Sequence, residues 1–156
     1  MTDLRQVFDD LVRFETILWG AIDARLQDEC GIGLASLNAM LVIDATPLCR
    51  VHDIARAVAI TVGGASQAVD RLESAGLAVR RANPSDRRSS IVGLTPEGAA
   101  LLGIAAPVFD RELGRLLRAP LSGTALTDLA DALSTLRRSA ATQAGNPAPG
   151  EASKRS

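Results

Sequence analysis

The chain has 156 residues, 47% of them hydrophobic and 22% charged, and a formal net charge of −1. These values suit one domain with a real core; they exclude a chain disordered throughout and a protein that coats nucleic acid by bulk charge. Two cysteines are too few for a disulfide framework or a four-ligand zinc centre. No run approaches 18 apolar residues and residues 1–10 are acidic, so we expect no membrane span, no signal segment and a reducing, cytoplasmic setting.

Leu4, Val7, Phe8, Leu11, Phe14, Leu18, Ile22 and Leu26 recur at helical spacing and predict one long amphipathic helix over 3–29, ended at Cys30-Gly31-Ile32-Gly33. Residues 34–45 are apolar on nearly every side and read as a buried helix closed by Pro47. A short third helix, 51–58, turns Val51, Ile54, Ala55 and Val58 inward. Thr61 offers an N-cap to a fourth helix running to about Ser74, with Ala65, Ala68, Val69 and Leu72 as its buried stripe and Gly76 placed to stop it. Residues 77–81 and 89–94 predict two short strands joined by the polar turn 82–88. Thr95-Pro96-Glu97 restarts a helix in which Pro107 predicts a kink or a break. A last helix covers about 123–141, and the Pro-, Gly- and Ser-rich stretch 145–156 is expected to be disordered.

Charge is informative by segment. Residues 1–60 hold five Arg against nine acids, whereas 61–95 hold five Arg against three, and four of those Arg lie between positions 80 and 88. A short basic stripe on a near-neutral body fits a protein that docks locally on nucleic acid, although a solvated turn has the same charge.

The third and fourth helices are separated only by Ala59-Ile60, and the hairpin follows at once. Short helix, tight turn, second helix and two-stranded ribbon make a winged helix-turn-helix. The fold class expected is mainly α, with a small β-hairpin wing. The exposed face of the fourth helix offers small, hydrogen-bonding or cationic groups: Thr61, Val62, Gly63, Gly64, Ser66, Gln67 and Arg71. Gly63 and Gly64 each weaken the helix by roughly 1 kcal/mol. Close approach to a DNA backbone explains them, and so does tight packing on a neighbouring helix. Gln67 suits bidentate pairing with adenine, and Ser66 suits several base edges or a phosphate. Arg71 can reach a phosphate, pair with Asp70 or Glu73, or brace the wing. At the hairpin tip Arg87 and Arg88 suit the narrow minor groove, with Asp86 expected to hold one guanidinium through a fork-to-fork bond.

These residues carry a resemblance to the MarR (multiple antibiotic resistance regulator) family of transcription factors. Asp70-Arg71-Leu72-Glu73, followed by Gly76-Leu77, is similar to that family's recognition-helix ending. Asp86, Arg88, Val92, Leu94 and Thr95 meet its wing pattern D-x-R-x-x-x-V-x-L-T. The resemblance implies a single MarR-like domain over 1–156, with the DNA-binding part at 33–95. It implies a homodimer whose helices at 3–30 and 96–141 interlock and which represses from a pseudo-palindromic double-stranded operator. By the family pattern, Thr61, Gly64, Ser66 and Gln67 face bases or adjacent phosphates, Arg71 supports backbone contacts, Arg88 enters the minor groove with Arg87 alongside, and Ser36 lies where the family often touches phosphate. A small aromatic or anionic effector is implied too, with Trp19, Met40 and His52 as the candidate pocket.

Cys30 falls at the end of the helix expected over 3–29 and Cys49 in a turn, so both read as structural or incidental thiols. No cofactor and no metal site is expected, because His52 with Asp53 and Cys49 is a thin ligand set. An enzyme is not expected either: the chain has no Tyr, one His and no nucleophile motif. The competing reading is a winged-helix protein-interaction module that has lost DNA binding.

Overall fold

The computed structural model describes residues 1–144, so the tail expected to be disordered at 145–156 lies outside the described residues. The described residues divide into two compact units, Met1–Leu113 and the part from Gly114 onward. The first contains helices α1 (Leu4–Cys30), α2 (Leu34–Ala45), α3 (Val51–Val58) and α4 (Val62–Ser74), strands β1 (Ala78–Ala82) and β2 (Ser90–Leu94), and helix α5 (Pro96–Leu113). The second begins with a π-helical turn, Gly114–Arg118, and continues as α6 (Gly123–Ala144).

Each boundary has a local cause. Asp3 caps α1 by accepting from the Arg5 N–H at 2.9 Å, and Gly31 ends it in the left-handed region at φ 69°. Gly33 has no side chain with which to cap α2. The Asp23 carboxylate of α1 takes that place instead, accepting from the Leu34 N–H at 2.7 Å. Gly76, at φ 71°, stops α4 as its position suggests. Thr95 both donates its hydroxyl to the Gly76 carbonyl at 2.7 Å and accepts from the Gly98 N–H at 3.0 Å, tying the end of α4 to the start of α5.

Pro107 does not break α5, contrary to the sequence expectation of a kink or break. The carbonyl that loses its partner belongs to Gly103, which is exposed and can turn to water, so the lost bond leaves no buried orphan. Irregularity falls instead at Gly114–Arg118, where the helix widens into its π turn.

The core of the first unit gathers Ile22 and Leu26 from α1, Leu37 and Met40 from α2, Ile54 from α3, and Val69 and Leu72 from α4, all fully buried. The hairpin is antiparallel, pairing Ala78 with Leu94 and Ala82 with Ser90. It is held to the body by the Val92 N–H, which donates to the Cys49 carbonyl at 2.7 Å. The helix-turn-helix and the ribbon therefore share one support. By contrast, much of the apolar stripe along the N-terminal two-thirds of α1 lies exposed, including Leu4, Phe8, Leu11 and Ile17.

Candidate nucleic-acid interface

The turn between α3 and α4 is set by Ala59, which takes the left-handed conformation at φ 56° and lets the Ile60 N–H return to the Ala55 carbonyl at 3.0 Å. Thr61 then caps α4, its hydroxyl accepting from the Gly64 N–H at 3.0 Å. Thr61, Val62, Gly63, Gln67 and Arg71 are exposed, and Gly64 and Ser66 are half-buried. A Cβ at Gly63 would meet nothing closer than the Thr61 hydroxyl at 4.0 Å, so packing on a neighbouring helix does not explain this glycine. At Gly64 it would sit 3.2 Å from that hydroxyl, against the cap itself. With the Gly64 N–H taken by the cap, the first turn of α4 presents the bare Val62 and Gly63 N–H groups at the positive end of a helix dipole. Ser36 stands half-buried in the first turn of α2.

Arg80, on β1, is the residue that sequence reasoning missed. Its guanidinium meets Asp70 at 2.8 Å and also bonds Glu73; a second nitrogen donates to the Ser66 carbonyl at 3.2 Å and the Ser66 hydroxyl at 3.3 Å. Its backbone N–H donates to Glu73 at 2.7 Å. Three α4 side chains are thereby pinned to the ribbon. Arg71, the sequence candidate for bracing the wing, does not do so: it is exposed, and its guanidinium makes no hydrogen bond or ion pair among the described residues. The available signal was the register of β1, since alternation along a strand turns one of two adjacent Arg toward α4 and the other away.

In the wing turn, Asn83 accepts from the Ser85 N–H at 3.0 Å and donates to the Ser89 hydroxyl at 3.0 Å. Asp86 accepts from the Arg88 backbone N–H at 2.9 Å. The fork-to-fork bond expected of Asp86 is therefore corrected to an Asx-type turn: the carboxylate fixes the loop's path rather than a guanidinium. Arg87 and Arg88 are both exposed, and neither guanidinium has a partner among the described residues.

The effector candidates separate in space. An open apolar recess of about 180 Å³ is lined by Glu15, Leu18, Trp19, Ile22, Leu34, Asn38, Phe109 and Leu113. Trp19 lines it, whereas Met40 is fully buried in the core and His52 is exposed on α3, so the three do not form one pocket. Burial pushes both thiols up from their ordinary range, with a neighbouring acid adding to it, Glu29 at Cys30 and Asp53 at Cys49. Both are therefore weak nucleophiles at neutral pH. Among the described residues no group of three or more His, Cys, Asp or Glu is arranged to hold a metal, and no helix is long and apolar enough to cross a membrane.

A MarR family model matches residues 31–89, which span α2 to the wing turn. No curated protein is similar enough in sequence to count as a relative. Among solved structures, the chain is similar to a MarR family transcriptional regulator from Streptomyces coelicolor in complex with DNA, at 24% identity and TM-score 0.81, covering 86% of each chain. It is similar to AbsC, another MarR family regulator of that organism, at 23% identity and TM-score 0.82, covering 91% of this chain and 97% of the other. CouR from Rhodococcus jostii RHA1, bound to p-coumaroyl-CoA, matches at 25% identity and TM-score 0.72, covering 81% of this chain and 87% of the other.

Proposed function

From a chain that carries the winged helix-turn-helix of the MarR family, we propose a sequence-specific regulator of transcription, a homodimer that represses by occupying a pseudo-palindromic operator in cytoplasmic DNA. One observation carries this reading: two kinds of DNA-seeking groups stand unpaired on one supported element. The first turn of α4 exposes backbone donors, Gln67 is exposed in the turn after it, and the wing tip holds two exposed guanidinium groups with no protein partner among the described residues. In this reading α4 enters a major groove, where Gln67 and Ser66 meet base edges. Thr61, Gly63, Gly64 and Ser36 meet phosphates, as does Arg71. Asp86 shapes the turn that sends Arg87 and Arg88 to the flanking minor groove. Two protomers place their α4 helices about 34 Å apart, one helical repeat of DNA.

The reading is one of binding rather than catalysis, and nothing in the geometry favours the protein-interaction alternative. The recess beside Trp19 suits an apolar or aromatic effector. Its polar lining is Glu15 and Asn38, with no cation, so an anionic effector would need its countercharge from outside these residues.

Replacing Arg88 with Ala tests the proposal. A duplex selected by the wild-type protein from a random-sequence library serves as probe, and binding is titrated at fixed salt. We expect operator binding to be lost while helicity by circular dichroism and subunit association stay unchanged. Unaltered affinity would remove the wing from the mechanism.

A further inference from the structure

The Arg80 cluster has a role that neither the family match nor the exposed basic groups assign. Its guanidinium is largely covered and turned toward α4, with three side chains of that helix as partners. It is thus not offered to a phosphate. Asp70 and Glu73 lie on the helix that would face DNA, where two free carboxylates would repel the backbone; Arg80 pairs with both and offsets one of the two negative charges. The Ser66 hydroxyl is constrained as well. Mid-helix Thr16, Thr127 and Thr142 send their hydroxyl protons back to the carbonyl four residues earlier, whereas Ser66 makes no such bond and accepts from Arg80 instead. A cationic donor on the oxygen leaves the hydroxyl proton pointing away, ready to be given to an acceptor.

We propose that Arg80 is a positioning residue for sequence discrimination: it locks α4 against the ribbon and presents Ser66 to DNA as a hydrogen-bond donor. The inference rests on the DNA-binding reading above. It assigns Ser66 to acceptor atoms, such as a purine N7, guanine O6, thymine O4 or a phosphate oxygen, over the amino groups of adenine and cytosine. It also predicts that a residue touching no nucleotide governs the difference between right and wrong sequences.

The test compares the library-selected duplex with a scrambled duplex of equal composition, each titrated at two salt concentrations. Lys at position 80 keeps the charge but not the fork, so it cannot hold Asp70, Glu73 and Ser66 together. For Arg80→Lys we expect unchanged affinity and salt dependence on the scrambled duplex and a loss of roughly tenfold or more on the selected one. Ser66→Ala should weaken selected-duplex binding in the wild-type background and add nothing in the Arg80→Lys background. Glu73→Gln, which removes the carboxylate charge and one of the two acceptor oxygens that Arg80 uses without changing volume, should lower the same selected-to-scrambled ratio. It carries the test should Arg80→Lys fail to fold by its thermal transition.

A preserved ratio in the variants overturns the inference and leaves DNA binding standing. Equal losses on both duplexes, with the salt slope reduced by about one, would make Arg80 a phosphate contact and overturn it too. A wild-type protein that prefers no sequence overturns the DNA-binding reading and this inference with it.

Discussion

Two glycines, Gly63 and Gly98, carry opposite stability signs, and the structure separates them. A Cβ at Gly98 would lie 1.9 Å from the Leu77 carbonyl oxygen, which is backbone and cannot swing aside. That carbonyl also accepts from the Thr95 N–H at 3.0 Å, so moving it disturbs the joint between wing and α5. We expect Gly98→Ala to cost about 1–3 kcal/mol or more, read as a lower urea midpoint. Gly63→Ala meets open space in a helical position and should stabilise the fold by about 0.5–1 kcal/mol. If Gly63 marks a close approach to DNA, the same variant weakens operator binding while raising the midpoint. A gain in both would assign the glycine no part in docking. Neither sign was legible in the sequence, where a glycine facing solvent and one against a carbonyl look alike.

At the scale of elements, punctuation made most boundaries readable. Gly31, Thr61, Gly76 and Thr95 end or begin helices through bonds to their own neighbours, and such local bonds leave a signature in local sequence. Elements held by distant partners did not. Asp23 caps α2 from eleven residues away, and Arg80 reaches α4 across seven and fourteen, so both depend on packing that spacing alone does not define. The start of α3 is local again: Arg50 has no capping oxygen in its side chain, and its N–H donates to the Asp53 carboxylate at 2.8 Å. That backbone bond, with Arg50 and Arg56 nearby, holds the Asp53 carboxyl below its ordinary value of 3.8 although burial opposes it. A lowered native pKa means stabilisation is complete above the unfolded value and fades as pH falls through the native one. Asp53→Asn should therefore cost about 1 kcal/mol at pH 7, and the gap from wild type should close only below about pH 3.8. Denaturation curves at pH 7, 5 and 3 measure it, and a gap that persists undiminished at pH 3 would remove the carboxylate from the cap.

At the scale of the molecule, the dominant unexplained quantity is apolar surface. On α1, Phe8 is 67% exposed, Ile17 60% and Trp19 42%, while Ile22 and Leu26 near its C-terminal end are buried in the core. One helix thus changes from solvent-facing to core-facing along its length. Each exposed side chain of this size would gain about 1.5–3 kcal/mol from burial, so leaving a whole stripe wet is costly unless a second copy covers it. Phe8→Glu with Ile17→Glu places two charges on that stripe without touching the core. Light scattering should give twice the single-chain mass for the wild type and the single-chain mass for the double variant, with circular dichroism unchanged. Operator affinity should fall with it, because one protomer meets only one half-site and loses the second set of contacts. The double variant still supplies the full Arg80 cluster and wing, so its preference for a half-site over scrambled DNA should survive at higher protein concentration. Loss of all preference would tie the reading of sequence to assembly rather than to the packing of α4 on its ribbon.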